Sequence, residues 1–282
     1  MSATLLRFAR AFLYLAITLP LMPLQALFVA LKSPLRRRLP LLYHRWTTRL
    51  LGFQIHLNGT PSPQRPTLFV ANHVSFLDIE ILGAVLETSF IAKAELARWP
   101  FFGWLAKLQR TVFVDRRVSS THHQRSAIRE RLDEADNLVL FPEGTTGDGN
   151  RALPFKSALF SVADYTGPHG PLIVQPVSIA YVRLDGMPLG RLDRPFVAWY
   201  GDMEFIPHLW TMLGLGRVGV EVAFHPSVRL ADFGSRKALA EHCYRVVAAG
   251  VASAIAGRKQ EWPTPAPAPA PAAVEPAGAA AQ

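Results

Sequence analysis

The chain has 282 residues, half of them hydrophobic and 18% charged, with a net charge of +9. That size suits one α/β domain with a sizeable core, and the charge calls for an anionic partner, either a membrane surface or a nucleic acid. The single cysteine, Cys243, excludes an internal disulfide and a cysteine-built zinc site. Its Ala/Val-rich helical surroundings read as a buried structural thiol.

The first element is apolar. Residues 11–31 carry no charge, a run long enough to cross a bilayer. Pro20 and Pro23 interrupt it and Gln25 follows them, which predicts a break in the middle. Arg7 and Arg10 stand before the run, and Lys32, Arg36, Arg37 and Arg38 after it, which favours both ends on the cytoplasmic side. A helix–turn–helix dipping into one leaflet meets these conditions better than a single span. No small-x-small cleavage site precedes the arginine cluster, so a removed signal peptide is not expected. Residues 39–51 mix leucines and Trp46 with His44, Arg45 and Arg49. They suit a helix at the lipid interface or an amphipathic helix covering the sheet. Because much of the positive charge belongs to this region, the nucleic-acid reading weakens.

Further along, apolar runs predict strands at 53–57, 67–71, 90–92, 111–114, 138–141, 173–181, 196–199 and 218–224. Helical patterns cover 76–86, 120–134, 157–165 and 235–256. The alternation predicts an α/β fold with a mixed, mostly parallel central sheet flanked by helices. Three regions result: membrane-associated helices over 1–52, a catalytic domain over 53–260, and a tail over 261–282. Residues 263–282 are nearly all Pro and Ala, with little to bury, and should be extended and disordered.

Two stretches carry chemistry. After the second strand comes Ala71-Asn72-His73-Val74-Ser75-Phe76-Leu77-Asp78. A carboxylate can fix an imidazole tautomer while the other ring nitrogen takes a hydroxyl proton. Residues five apart in a regular helix lie about 140° apart around the axis, so the pair meets only if His73 sits on the turn before the helix. Ser75 is the expected N-cap. Nine histidines give about a third of an H-x4-D match by chance, so alone the spacing also fits a structural His beside a capping Ser. The second stretch, Leu138-Val139-Leu140-Phe141-Pro142-Glu143-Gly144-Thr145-Thr146, is a strand running into a Gly turn, where α/β folds place ligands. Glu143 is a candidate for holding a substrate hydroxyl, and Gly144 lets the backbone approach closely. A tight turn with an exposed Glu fits equally well. Lys93, Arg110, Arg116, Arg117, Arg151 and Lys156 fall near strand ends and suit a phosphate or carboxylate headgroup, or plain surface charge. G-x-S-x-G, phosphate-loop, dinucleotide-fingerprint and H-E-x-x-H patterns are absent, and His122 and His123 lack a third ligand, so no metal or cofactor is expected.

Taken in order, these blocks resemble the phospholipid/glycerol acyltransferase superfamily, in particular 1-acyl-sn-glycerol-3-phosphate acyltransferases. The matching residues are Asn72, His73 and Asp78; Lys93-Ala94-Glu95-Leu96 with Gly103 and Phe113-Val114-Asp115-Arg116; Phe141-Pro142-Glu143-Gly144-Thr145-Thr146; and Val174-Gln175-Pro176-Val177-Ser178-Ile179. The resemblance covers residues 53–181. It implies a membrane enzyme that moves an acyl group from acyl-carrier protein or acyl-CoA to a lyso-lipid hydroxyl. His73 is the implied base and Asp78 its orienter. Lys93, Arg116, Glu143, Gly144, Thr145 and Arg151 are the expected acceptor-site residues. A bacterial member would sit on the cytoplasmic face of the inner membrane. The acceptor expected first is lysophosphatidate, giving phosphatidate. One departure bears on that expectation: Thr146 stands where the family has arginine, and Trp199-Tyr200-Gly201-Asp202-Met203 follows later. Both features resemble the subgroup of lyso-ornithine lipid acyltransferases, and lyso-ornithine lipid is therefore the alternative acceptor.

Overall fold

The computed structural model describes residues 3–114 and 122–258, so the expected tail and Arg116 and Arg117 lie outside the described residues. Helix α1 (Ala3–Ala30) and helix α2 (Leu35–Leu51) come first. Strands β1 (Phe53–Asn58) and β2 (Thr67–Ala71), helix α3 (Leu77–Val85), strand β3 (Ser89–Lys93), helix α4 (Phe102–Leu108) and strand β4 (Val112–Val114) follow. Helix α5 (His122–Asp133) and strand β5 (Leu138–Leu140) lead to a 3₁₀ segment, Ser157–Asp164, and a two-residue pair, β6 (Thr166–Gly167) and β7 (Gly170–Pro171). The chain then forms β8 (Ile173–Leu184), β9 (Met187–Pro188), α6 (Phe205–Leu213), β10 (Val218–Phe224) and α7 (Arg236–Ile255).

The central sheet runs β1-β10-β8-β2-β5-β3-β4, with β9 folded back on the end of β8. All neighbouring pairs along it are parallel except β10 with β8, so the sheet is mixed and mostly parallel. All five residues of β2 are buried, as expected for a central strand covered on both faces. Side chains alternate across a strand, so Phe69 and Ala71 join the core beneath α3, while Leu68 and Val70 join the core beneath α7. Cys243 lies in that second core, fully buried, and burial pushes its thiol up to about 12. The expected structural role for it holds.

Several sequence expectations need correction. The segment at 196–199 is not a strand: Arg194–Phe196 forms a 3₁₀ turn, with Pro195 supplying no amide for a ladder. A single backbone bond, Trp199 N to Val74 O at 3.0 Å, ties it to the turn after β2. Helix α1 does not break at Pro20 and Pro23 but runs unbroken through both. The turn comes later, at Lys32–Pro34, where Lys32 adopts a positive φ of 50°. Gln25, expected to disfavour a long helix, points inward and donates to Arg36 O at 2.9 Å and Leu108 O at 3.0 Å. Arg36 and Arg37 are not free flanking charges either. They pair with Glu134 and Asp136 at 2.9 and 2.6 Å, beside Arg110 on the same two carboxylates. Arg110 is thus a buried structural cation, not a headgroup ligand.

Helix α1 is long and apolar enough to cross a membrane. It packs against α2, α4 and α6. Arg10 fastens it by donating to Leu213 O at 3.2 Å and to Leu215 O at the end of α6. Such a contact satisfies helix-terminal carbonyls that otherwise lack partners. Helix α2 covers α3 with His44, Thr47, Thr48 and Leu51 and leaves Leu42 and Trp46 exposed.

Candidate active site

Strand β2 ends at Ala71, and the next residues turn before α3 starts at Leu77. Asn72 fixes the turn: its side chain donates to Ile179 O at 2.9 Å and accepts from Ile179 N at 2.8 Å, clipping the strand end to β8. His73 therefore sits before the helix, as the spacing required. Its Nδ1 lies 2.8 Å from Asp78 Oδ2. The same oxygen accepts from the amides of Val74 at 2.7 Å and Ser75 at 3.0 Å, and Asp78 Oδ1 accepts from the Tyr181 hydroxyl at 2.8 Å. Four donors thus surround a carboxylate with no solvent exposure. Such donors are what makes a buried charge tolerable. Burial and the Asp78 charge together hold the Tyr181 hydroxyl well above its ordinary pKa, so it stays a donor.

Ser75 is not the helix cap. Phe76 occupies that position without a side-chain bond, and the Asp78 carboxylate satisfies the turn amides instead. The requirement for a cap was legible, but the residue filling it lies on the helix rather than before it. Tyr181 was missed, because nothing local in the sequence of β8 marks its partner 103 residues away.

With Nδ1 donating to a carboxylate, Nε2 of His73 is the basic nitrogen. The ring stacks on Phe141 at 4.0 Å and lines a cavity of about 810 Å³. The cavity wall comes from α1, α2, α3, α4, α6 and the turn after β5, and most of it is apolar. Tyr14, Thr18, Gln25, His44 and Glu80 give it a polar stretch. There His44 contacts Glu80 Oε2 at 2.8 Å and Gln109 Oε1 at 3.1 Å, and Thr47 donates to Glu80 Oε2 at 2.6 Å. Burial raises the Glu80 pKa, but the His44 charge and the His44 and Thr47 bonds outweigh it and hold the carboxyl below its ordinary value.

The turn after β5 contributes Phe141, Gly144, Thr145 and Thr146 to the cavity. Gly144 has φ +72°, a left-handed conformation that favours glycine, and its amide bonds Phe141 O at 3.1 Å. Gly147 N reaches back to His73 O at 2.8 Å, which joins the two sequence blocks. Glu143 faces the other way. It is 2% exposed, does not line the cavity, and accepts from Leu153 N at 3.0 Å. Burial pushes its pKa up to about 8 against the pull of the Leu153 and His73 amides, and the Asp78 charge adds to the rise.

Among the expected headgroup cations, Lys93 lines the cavity, whereas Arg151 and Lys156 are exposed and do not. Beyond Thr146 the loop closes on itself. Asp148 accepts from Asn150 N and Nδ2, both at 3.0 Å, and Arg194 donates to Asn150 Oδ1 at 2.8 Å. Arg194 is a further cation that the sequence pattern did not single out. No cluster of metal-ligating side chains occurs among the described residues.

A family model described as Acyltransferase matches residues 54–180. The chain is 48% identical over 248 residues to a lyso-ornithine lipid O-acyltransferase of Brucella abortus, covering 86% of this chain and 93% of the relative. It is 34% identical over 197 residues to a 1-acyl-sn-glycerol-3-phosphate acyltransferase of Neisseria gonorrhoeae, covering 69% and 73%. The fold matches the crystal structure of the PlsC acyltransferase of Thermotoga maritima with a TM-score of 0.64 at 22% identity, covering 92% of this chain and 97% of that one.

Proposed function

The chain belongs to the acyltransferase family of the PlsC type, and we propose that it acylates lyso-ornithine lipid at a membrane surface, drawing on a thioester donor. Its activity is that of an O-acyltransferase. The observation that carries the chemistry is the His73–Asp78 pair on the wall of an apolar cavity large enough for a fatty chain.

In the proposed reaction the acceptor hydroxyl oxygen attacks the thioester carbonyl while Nε2 of His73 takes its proton. Asp78 holds the tautomer and stabilises the imidazolium. The C–S bond then breaks, and the imidazolium returns the proton to the leaving thiolate, which departs as acyl-carrier protein or coenzyme A thiol. No acyl-enzyme forms. The Val74 and Ser75 amides are committed to Asp78 and the Gly144 amide to Phe141. We therefore assign the oxyanion to the amides of Thr145 and Thr146 on the cavity wall. Residues 1–52 serve as the membrane-associated part, with both ends on the cytoplasmic face.

For the acceptor, the sequence reading put lysophosphatidate first. The 48% likeness to a protein named for lyso-ornithine lipid, against 34% to one named for the glycerol phosphate, supports the alternative acceptor better. Thr146 agrees, since it removes the arginine expected to pair with a phosphate, and Arg151 and Lys156 do not reach the cavity in its place. Purified protein should show a higher kcat/KM with lyso-ornithine lipid than with lysophosphatidate. Thr146→Arg should raise use of lysophosphatidate about tenfold or more, the value of one charge-assisted contact. A preference for lysophosphatidate in the wild type would return the reading to phosphatidate synthesis.

A further inference from the structure

Helices α4 and α6 were not visible as elements in the sequence, yet both have two distinct faces. In α6, Phe205, Leu209, Met212 and Leu213 line the cavity, at the i, i+4, i+7, i+8 spacing of one helix face. On another face Ile206 and Trp210, one turn apart, are 64% and 36% exposed. In α4, Phe102, Leu105 and Leu108 line the cavity, while Trp104 is 62% exposed with the Lys107 ammonium 5.0 Å from its ring centre.

Helix α1 packs against both of these elements and repeats the pattern. Ala11, Tyr14, Thr18, Met22 and Gln25 form its cavity stripe, and this stripe holds every polar residue of α1 beyond Phe12. From Phe12, itself 70% exposed, to its end the outer side is purely apolar. Phe8 meets Trp210 edge to face at 5.1 Å, so the exposed surfaces of α1 and α6 are continuous.

Charge points the same way. Helices α1, α2, α4 and α6 contain no aspartate or glutamate, although the chain has 21 such residues, whereas α3, α5 and α7 each carry some. Exposed cations on or beside the acid-free helices include Lys32, Arg38, Arg45, Arg49 and Lys107. Apolar residues with flanking tryptophan and lysine or arginine, and no acid within the helices themselves, match an anionic lipid surface, although Asp202 and Glu204 are exposed just before α6.

We infer that α4 and α6 are themselves membrane-contact elements, and that with α1 they form one lipid-binding face whose inner side is the wall of the chain cavity. The inference rests on the membrane-bound reading above and extends it from the N-terminal helices to the α/β domain. A single layer of helices then separates the bilayer from the cavity, and lipid chains reach His73 without crossing bulk water.

The test uses the full-length protein and vesicles of phosphatidylglycerol and phosphatidylcholine, some with brominated acyl chains. Bromolipid should quench wild-type tryptophan emission, and the quenchable part should shrink in Trp104→Phe and in Trp210→Phe. The double variant Trp104→Ser/Ile206→Asp changes only exposed positions. It should bind the vesicles at least tenfold more weakly while acylating detergent-dispersed acceptor as the wild type does. Unchanged vesicle binding by the double variant overturns the inference while the membrane-bound reading stands. The same holds if those substitutions instead dissolve a dimer, because a second copy would then cover the face. If the wild type itself fails to bind vesicles, the membrane-bound reading falls first and this inference with it.

Discussion

The turn that carries His73 and the pair of helices at the N-terminus are held by opposite means. Around His73 nearly every constraint is a short polar bond. Asn72 clips β2 to β8, and four donors converge on Asp78. Helix α1 has few such bonds along its 28 residues and rests on apolar packing, fastened by Arg10 toward one end and Gln25 toward the other. Helix α2 adds the ion pairs of Arg36 and Arg37. Hydrogen bonds fix angles, which proton transfer requires, while apolar packing tolerates sliding, which suits a wall that lipid chains must pass.

The comparison breaks most sharply under single substitutions. His73→Ala should lower kcat by about 10²- to 10⁴-fold, the usual value of a general base. It should leave the melting temperature and vesicle binding nearly unchanged, since the ring is partly exposed and Asp78 keeps three donors. Turnover and thermal melts of the same preparation check both halves. A folded His73→Ala protein with near-normal turnover would falsify the proposed base.

Asp136→Ala should do the reverse. It removes the buried carboxylate shared by Arg37 and Arg110 and leaves Arg110, only 4% exposed, with Glu134 as its remaining partner. Breaking a buried pair from one side costs about 3–5 kcal/mol, and each kcal/mol shifts the melting temperature of a domain this size by roughly 2–4 °C. Activity per folded molecule should stay within about threefold. A melting temperature within 2 °C of wild type would mean that the cluster bears little of the connection between α2 and the domain.

The same contrast explains what the sequence disclosed. Strands β2 and β10 were legible to the residue, because a buried strand bounded by turn residues is a local pattern. The His73–Asp78 pair was legible because five residues and a turn determine it. Helices α4 and α6 were not. They are short, apolar on both faces, and α6 carries Pro207, so no amphipathic stripe announces them. The continuity of α1 through two prolines was equally hidden, since what holds it is the packing of α2, α4 and α6. The inward turn of Glu143 depends on Leu153, whose amide arrives from a later loop.

The smallest predicted effect concerns that Glu143, and it decides whether the side chain belongs to the frame or to the acceptor site. Burial holds its pKa at about 8, so the folded protein keeps the proton at neutral pH. The unfolded chain releases it near the ordinary carboxyl value. Between those two values the unfolded state binds fewer protons than the folded state, so this group makes stability fall as pH rises, and the slope ends above about pH 8. Glu143→Gln carries no titrating proton and retains an oxygen for Leu153 N. Its melting temperature should match wild type near pH 5 and exceed it increasingly toward pH 8. The hydration cost of a buried amide is the same at every pH, so it does not reduce the slope, and the gap at pH 8 should approach the single-proton value of about 3 kcal/mol. Melting curves of both proteins from pH 5 to pH 9 make the comparison. Parallel curves would mean that the carboxyl is ionised throughout. Glu143 would then turn toward the cavity and the acceptor, as its position after β5 first suggested, and would belong with the bonded frame of His73.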